Sequence, residues 1–302
     1  MAAGRAFIFI VILVIVCQVV AQSNQMTAGP SQIPLTLTVT DVFGQPIAGL
    51  TKDEIQISDG NQLKTIRSFE RDTEPVSIGI VVDKSESANN LGYKKIAESL
   101  GSFVDRANEA SEYFLMTFNE SSVVLQDWSS DVSSLKKEFS SLTSITPKKN
   151  TKFFDAISFA LSKFEAAKYR RKVLLVISDG ADNRSKISLL ELKKDLKRSD
   201  VCVYIVSPLI SGQNRWDVLF FGDNIDTLVN ITGGRSFFPY PNDVNEVFFS
   251  IAEELDHQYL IKIDQNVADG KWHDLKIKVR VRPEMKKLGD LKVRGRTGYF
   301  AN

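Results

Sequence analysis

Apolar residues along the chain fall into two kinds of pattern. Near the start, Leu35, Leu37 and Val39 alternate with Thr36, Thr38 and Thr40, the period-two signature of a half-buried strand rich in β-branched residues. Ile55 and Ile57, then Leu63 and Ile66, flank Asp59-Gly60-Asn61, which predicts a hairpin turn. Near the end, Leu275, Ile277, Val279 and Val281 alternate with Lys276, Lys278, Arg280 and Arg282. Both flanks read as antiparallel β structure with one face in water.

The middle of the chain behaves differently. Ser77–Val82, Lys172–Ile177 and Val201–Val206 are nearly continuous apolar runs, and strands apolar on both faces belong at the centre of a parallel sheet covered by helices. Amphipathic stretches at Tyr93–Ala110, Phe153–Ala167, Ile187–Ser199 and Val244–Leu255 predict those helices; in the second, Phe154, Ile157, Leu161 and Phe164 recur at helical spacing. The predicted fold is α/β: a doubly wound, mainly parallel, Rossmann-like sheet with its site at the carboxyl ends of the strands. A smaller antiparallel β module, formed by the N- and C-terminal segments, accompanies it. The expected organisation is a signal peptide over 1–21, a polar leader over 22–33, a β segment over 34–72, the α/β domain over 75–257 and a second β segment over 258–302.

The first 21 residues change the setting. Arg5 precedes an apolar run from Ala6 to Val20, interrupted only by Gln18 and followed by Ala21, which is the plan of a secretory signal cut after Ala21. The run is short for a membrane span, which needs about 20 apolar residues, so an uncleaved anchor is the weaker alternative. Cleavage removes Cys17 and leaves Cys202 alone, so the mature chain has no internal disulfide and is held by its core. The expectation is an exported protein, periplasmic or secreted, with no transmembrane segment after cleavage.

The 302 residues are 43% hydrophobic and 25% charged, which excludes disorder and coiled coil, and 38 Lys+Arg against 37 Asp+Glu leave no excess of positive charge for nucleic acid. The balance is uneven, however. From Lys271 to Arg296 ten Lys/Arg stand against Asp274, Glu284 and Asp290, a local excess of seven. The plain reading is the solvated face of a strand, with lysines that oppose aggregation. It is preferred to contact with anionic envelope polymer or lipid head groups because no aromatic residues are interleaved with the cations.

Three polar clusters sit where chemistry would be expected. Asp83-Lys84-Ser85-Glu86-Ser87 follows the first apolar strand, Asn150-Thr151 precedes the helix near Phe153, and Ser178-Asp179-Gly180 follows the strand ending at Ile177. In a parallel sheet all three gather at one edge. Two carboxylates with hydroxyls form an all-oxygen set suited to a hard cation: Mg²⁺, with Mn²⁺ or Ca²⁺ as the other cations such a set would take. Two carboxylates balance a divalent ion, and neutral hydroxyls leave it electrophilic toward one more anionic oxygen from outside. The simpler alternative for Asp83, Ser85 and Ser87 is a loop that caps the next helix.

Asp83-x-Ser85-x-Ser87, a threonine about 65 residues later and the strand-terminal Asp179-Gly180 resemble the metal-ion-dependent adhesion site of von Willebrand factor type A domains and integrin inserted domains. The resemblance covers about Pro75 to His257. It implies that Ser85, Ser87 and Thr151 contact the metal directly, and that Asp83 and Asp179 hold it directly or through water. It also implies a protein ligand that supplies an acidic residue to the metal. The flanking Phe43-Gly44, Gly49-Leu50, Asp59-Gly60, Asp269-Gly270-Lys271 and Arg294–Tyr299 are similar to an exported type A family abundant in acidobacteria, whose terminal β segments pack together. Two positions depart from the common motif: Glu86 stands between the serines where Gly is usual, and Asn150 precedes the threonine. Glu86 brings a third carboxylate to the metal loop, where it can occupy or shield the open coordination position.

The expected function is therefore non-enzymatic: an exported adhesion module that binds a protein through Mg²⁺. Partner contacts are expected from the loops around the metal, including 210–223 with Trp216, Phe220 and Phe221. The alternatives are a metal-dependent phosphatase or hydrolase, and a structural envelope protein with a vestigial metal loop. The phosphatase reading lacks a second Asp two residues after Asp83, where Ser85 stands, and lacks a nearby His base.

Overall fold

The computed structural model describes residues 31–88, 92–209, 215–280, 283 and 289–302, except for the side chains of 215–221. The predicted signal and all but the last three residues of the predicted leader lie outside the described residues. In chain order the elements begin with β1 (Gln32–Thr40), β2 (Ile55–Asp59), β3 (Gln62–Leu63), β4 (Ile66–Arg71), β5 (Val76–Asp83) and α1 (Tyr93–Arg106). There follow β6 (Glu112–Phe118), β7 (Ser122–Ser129), α2 (Val132–Ser141), α3 (Phe153–Lys163), β8 (Arg171–Ile177) and α4 (Leu189–Arg198). The chain continues through β9 (Cys202–Val206), α5 (Arg215–Thr232), β10 (Arg235–Phe237) and α6 (Val244–Asp256). It ends with β11 (Tyr259–Asp264), β12 (Trp272–Val279), β13 (Lys292–Arg294) and β14 (Gly298–Phe300).

The strands that are apolar on both faces build the centre, as that pattern requires. A six-stranded sheet runs β10-β9-β8-β5-β6-β7, parallel throughout except for the antiparallel edge strand β7. Every residue of β5 is buried, and helices cover both faces. One layer sets Ile96, Leu100 and Phe103 of α1 and Phe248 and Ile251 of α6 against Ile78, Ile80 and Val82. The other sets Ala156, Ile157 and Ala160 of α3 and Leu192 and Leu196 of α4 against Val81, Leu174 and Val176. Each such aliphatic side chain removed from water contributes about 1.5–3 kcal/mol.

The flanks join as predicted. β1 pairs antiparallel with β11, Leu35 opposite Ile261. The first antiparallel sheet is β13-β1-β11-β4 and the second β14-β12-β2-β3. Leu35, Leu37, Ile261 and Ile263 of the first share a core with Ile55, Ile57, Leu275 and Ile277 of the second, so the module is a small sandwich. It packs against the end of the α/β domain where β8 and β9 begin. There Asp72 pairs with Arg170 at 2.8 Å, and the fully buried Glu254 pairs with Arg294 at 2.5 Å and Arg235 at 3.0 Å. Gly233, at φ +81°, meets Gly295 across this seam; a Cβ there would lie 2.4 Å from the Gly295 carbonyl carbon, so neither a side chain nor another backbone shape fits.

Three expectations are corrected. β1 starts at Gln32, inside the stretch expected to be leader, because Gln32 and Ile33 pair with Asp264 and Ile263. The 210–223 segment is not a loop throughout: from Arg215 onward it is the first part of α5. Its turn-forming start, Ser211-Gly212-Gln213-Asn214, lies outside the described residues, as do the side chains of Trp216, Phe220 and Phe221. Finally, Ile66 does not extend the predicted hairpin. The β2–β3 pair is short, and β4 crosses to the other sheet to pair with β11.

Candidate functional site

β5 is the first strand of the central sheet, and its neighbours β6 and β8 follow on opposite sides. The chain therefore reverses its direction of winding between β5 and β8, and the carboxyl ends of those strands open a crevice at that switch point. Asp83 is the last residue of β5, and Ser178 and Asp179 follow β8 directly. With Val82 in register with Ile177, the next residues face each other, and Ser178 Oγ donates to Asp83 Oδ2 at 2.6 Å. Gly180 turns the chain at φ +78° and its amide donates to Ser178 Oγ at 3.0 Å.

The Asp83 loop is held from within. The Ser85 amide donates to Asp83 Oδ1 at 2.8 Å, and the hydroxyls of Ser85 and Ser87 are 3.1 Å apart. Asp83 and Ser85 are fully buried, whereas Ser87 and Glu86 reach the surface. Lys84 points the other way. Its Nζ lies 3.3 Å from the centre of the Tyr93 ring and donates to the Leu142 carbonyl at 3.0 Å, while the Tyr93 hydroxyl donates to the Asp83 carbonyl at 2.8 Å. Burial lowers Lys84 to about 8, against the opposing pull of Asp83. This buried lysine anchors the loop to α1 and to the end of α2.

Thr151 reaches the same edge through backbone ties to both other loops. Lys148 forms a parallel bridge with Ser85, in which the Glu86 amide donates to the Lys148 carbonyl at 2.8 Å and the Lys148 amide to the Lys84 carbonyl at 3.1 Å. On the other side, the Thr151 amide donates to Asn183 Oδ1 at 3.0 Å, and the Asn183 and Arg184 amides donate to the Thr151 carbonyl at 3.1 Å each. The same third loop caps α3. Asp182 Oδ2 accepts from the Phe154 amide and Ser185 Oγ from the Asp155 amide, both at 3.0 Å, in place of the missing side-chain cap at Lys152. Thr151 is almost fully buried.

All five residues singled out in the sequence thus stand on three interlocked loops at one sheet edge. The electrostatics of that edge are unusual. Burial pushes the Asp83 carboxyl up to about 7, Asp179 pushes it further in the same direction, and hydrogen bonds from Ser178 and Ser85 oppose them. Asp179 disfavours the charged form of Asp83, while the Lys84 ammonium, which Asp83 favours in its charged form, is directed at the Tyr93 ring and the Leu142 carbonyl. Among the described residues, no group of three or more His, Cys, Asp or Glu is placed to hold a metal; the donors here are two carboxylates and hydroxyls. Such a set fits a hard divalent cation and no soft one.

Ser178, Asn183 and the Lys84–Tyr93 pair complete the site, and the sequence reading did not give them these roles. Ser178 carried a signal in its place next to Asp179 at a strand end. Asn183 carried none, because its partner Thr151 is 32 residues away.

The model of the von Willebrand factor type A domain matches residues 77–231. Among curated proteins no match is found. Among solved structures, the vWF domain of the type V pili tip protein Mfa5 from Porphyromonas gingivalis has a TM-score of 0.50 at 12% identity, covering 61% of this chain and 96% of that one. A mutant of the PilB minor pilin from Streptococcus sanguinis has a TM-score of 0.50 at 11% identity, covering 61% of this chain and 62% of that one. The conserved hypothetical protein BatB from Bacteroides thetaiotaomicron has a TM-score of 0.45 at 16% identity, covering 59% of this chain and 98% of that one. At such identities the likeness is one of fold. Among the described residues no helix is long and apolar enough to cross a membrane.

Proposed function

The chain belongs to the von Willebrand factor type A family, whose domains commonly bind protein partners, and from that premise we propose that it is an exported, non-enzymatic adhesion module. It captures a protein ligand through a divalent cation, Mg²⁺ by the preference of its donors. Ser85, Ser87 and Thr151 would be neutral ligands, and Asp83 and Asp179 would hold the ion directly or through water. When bound, the ion supplies a positive centre that accepts a carboxylate from the partner. The residues of the chain prepare for this by bringing two carboxyl groups to a buried edge and by fixing the hydroxyls on loops tied to each other.

The observation that carries this reading is the buried Asp83 carboxyl beside Asp179, with the neighbouring Lys84 ammonium turned to the Tyr93 ring and the Leu142 carbonyl instead. A merely structural loop would not gather two carboxylates where burial penalises their charge. The non-catalytic reading draws support from the placement of the histidines: His257 follows α6 and His273 lies on β12, both away from the carboxyl ends of β5 and β8.

The test is capture of partners by the full chain from envelope extract, with Mg²⁺ and then with EDTA. EDTA, Asp83→Ala and Ser85→Ala should each abolish capture. Capture that survives all three contradicts the proposal, and Mg²⁺-dependent phosphatase activity lost in Asp83→Ala would favour an enzyme.

A further inference from the structure

The basic C-terminal stretch takes no part in the metal edge, and the fold gives it a definite shape. In β12 the residues facing the sandwich core are Leu275, Ile277 and Val279, so Lys276, Lys278 and Arg280 project outward and are exposed. Successive cations on one strand face are about 6.8 Å apart. Register places Ser58 beside Lys276 and Gln56 beside Lys278, both uncharged, on the neighbouring strand β2. On a solvated antiparallel face, cross-strand acids commonly balance such lysines. Here, among the described residues, none of the three cations has an ion-pair partner.

The head of the row is built up further. Trp272 shares this outer face and packs edge-on against Phe300 at 5.3 Å. Lys197 of α4 lies 4.6 Å over its ring. Asp274, the one carboxylate among the described residues of β12, accepts from Trp272 Nε1 at 2.7 Å. Aromatic residues do therefore accompany the cations, contrary to the sequence expectation, and they serve to hold Lys197 at the end of the row.

We propose that the outer face of the β14-β12-β2-β3 sheet is a second binding surface, for a linear polyanion carrying repeated sulfate, carboxylate or phosphate groups. Lys276, Lys278 and Arg280 form its contact row and Lys197 its head. The occupant follows from charge complementarity and arrangement: the cations lie in a row along one strand on one face of the sheet. A bilayer would call for apolar residues to insert, and on this face only Leu63, on β3, is an exposed large apolar residue among the described ones. Nucleic-acid bases would need free aromatic faces to stack on, and Trp272 is already covered. The surface belongs to the module at the end of the domain remote from the metal edge, so it works without the metal.

The test uses the full chain with heparin and with inorganic polyphosphate as probes, at several salt concentrations. The variant Lys276→Gln/Lys278→Gln/Arg280→Gln should weaken binding roughly tenfold or more and flatten the slope of log affinity against log salt by about 2. Lys276→Arg/Lys278→Arg should bind like the parent, and EDTA should have no effect. Lys94→Gln/Lys95→Gln/Lys137→Gln removes the same net charge from exposed helical positions and should also bind like the parent. An unchanged melting temperature confirms that the row variant is folded. Equal losses in both triple variants, or no binding to either polymer, overturn the proposal; binding only to vesicles containing anionic lipid replaces it with a membrane surface. Loss of metal-dependent partner capture with polymer binding intact would sink the adhesion reading and leave this one standing.

Discussion

Asp83 makes the sheet edge it shares with Asp179 sensitive to pH, and raising the pH acts against the metal-free fold. Its carboxyl is raised from 3.8 to about 7 in the folded chain. The metal-free fold therefore holds this proton more tightly than the unfolded chain does, and it loses stability as pH rises between those values. The full effect is on the order of 4 kcal/mol. A cation that balances the charge displaces the proton, so the account predicts that Mg²⁺ raises the melting temperature much more at pH 8 than at pH 5. Equal increments at the two pH values would remove the link between Asp83 and the metal. Glu86 offers a second test at this scale. Its exposed carboxylate stands next to both serines, and Glu86→Gly is expected to tighten Mg²⁺ and partner binding by titration calorimetry. If neither affinity moves, Glu86 does not shield the metal.

At the scale of elements, the start of α3 couples helix stability to site geometry. Asp182 caps the Phe154 amide, and its neighbour Asn183 holds Thr151. Asp182→Ala should cost about 1–2 kcal/mol in denaturant unfolding and should also weaken Mg²⁺ binding, whereas a change in stability alone would show that the cap and the site are independent. The same elements show what the sequence made legible. β5, β8 and β9 announce themselves because burial on both faces demands unbroken apolar runs. Asp83 and Asp179 could be found because each ends such a run. The edge strand β7 is half exposed and bulged against β6, so its pattern is irregular, and it escaped notice together with β6 and the serine-rich α2. α5 was read partly as a loop because turn-forming residues precede a Trp-Asp-Val-Leu-Phe-Phe run with no clear polar face. The supports of the site rest on contacts between distant residues, such as Ser178 with Asp83, 95 positions apart, which no local spacing encodes.

At the scale of the whole molecule, the α/β domain carries the Asp83–Asp179 edge at one end and the β sandwich at the other. Glu254 joins the two, buried with Arg294, Arg235 and the Tyr204 hydroxyl around it. Glu254→Gln leaves two guanidinium groups without their counter-charge and should lower unfolding stability by about 3–5 kcal/mol, with Mg²⁺ affinity unchanged because the metal edge is remote. A stability equal to the parent's would mean that this cluster does not hold the seam. The central claim concerns the opposite end, and a crystal grown with Mn²⁺ tests it most directly. The account predicts an anomalous peak in contact with the Ser85, Ser87 and Thr151 hydroxyls and beside Asp83 and Asp179. Strong Mn²⁺ peaks elsewhere, with these five side chains left bare, would contradict it.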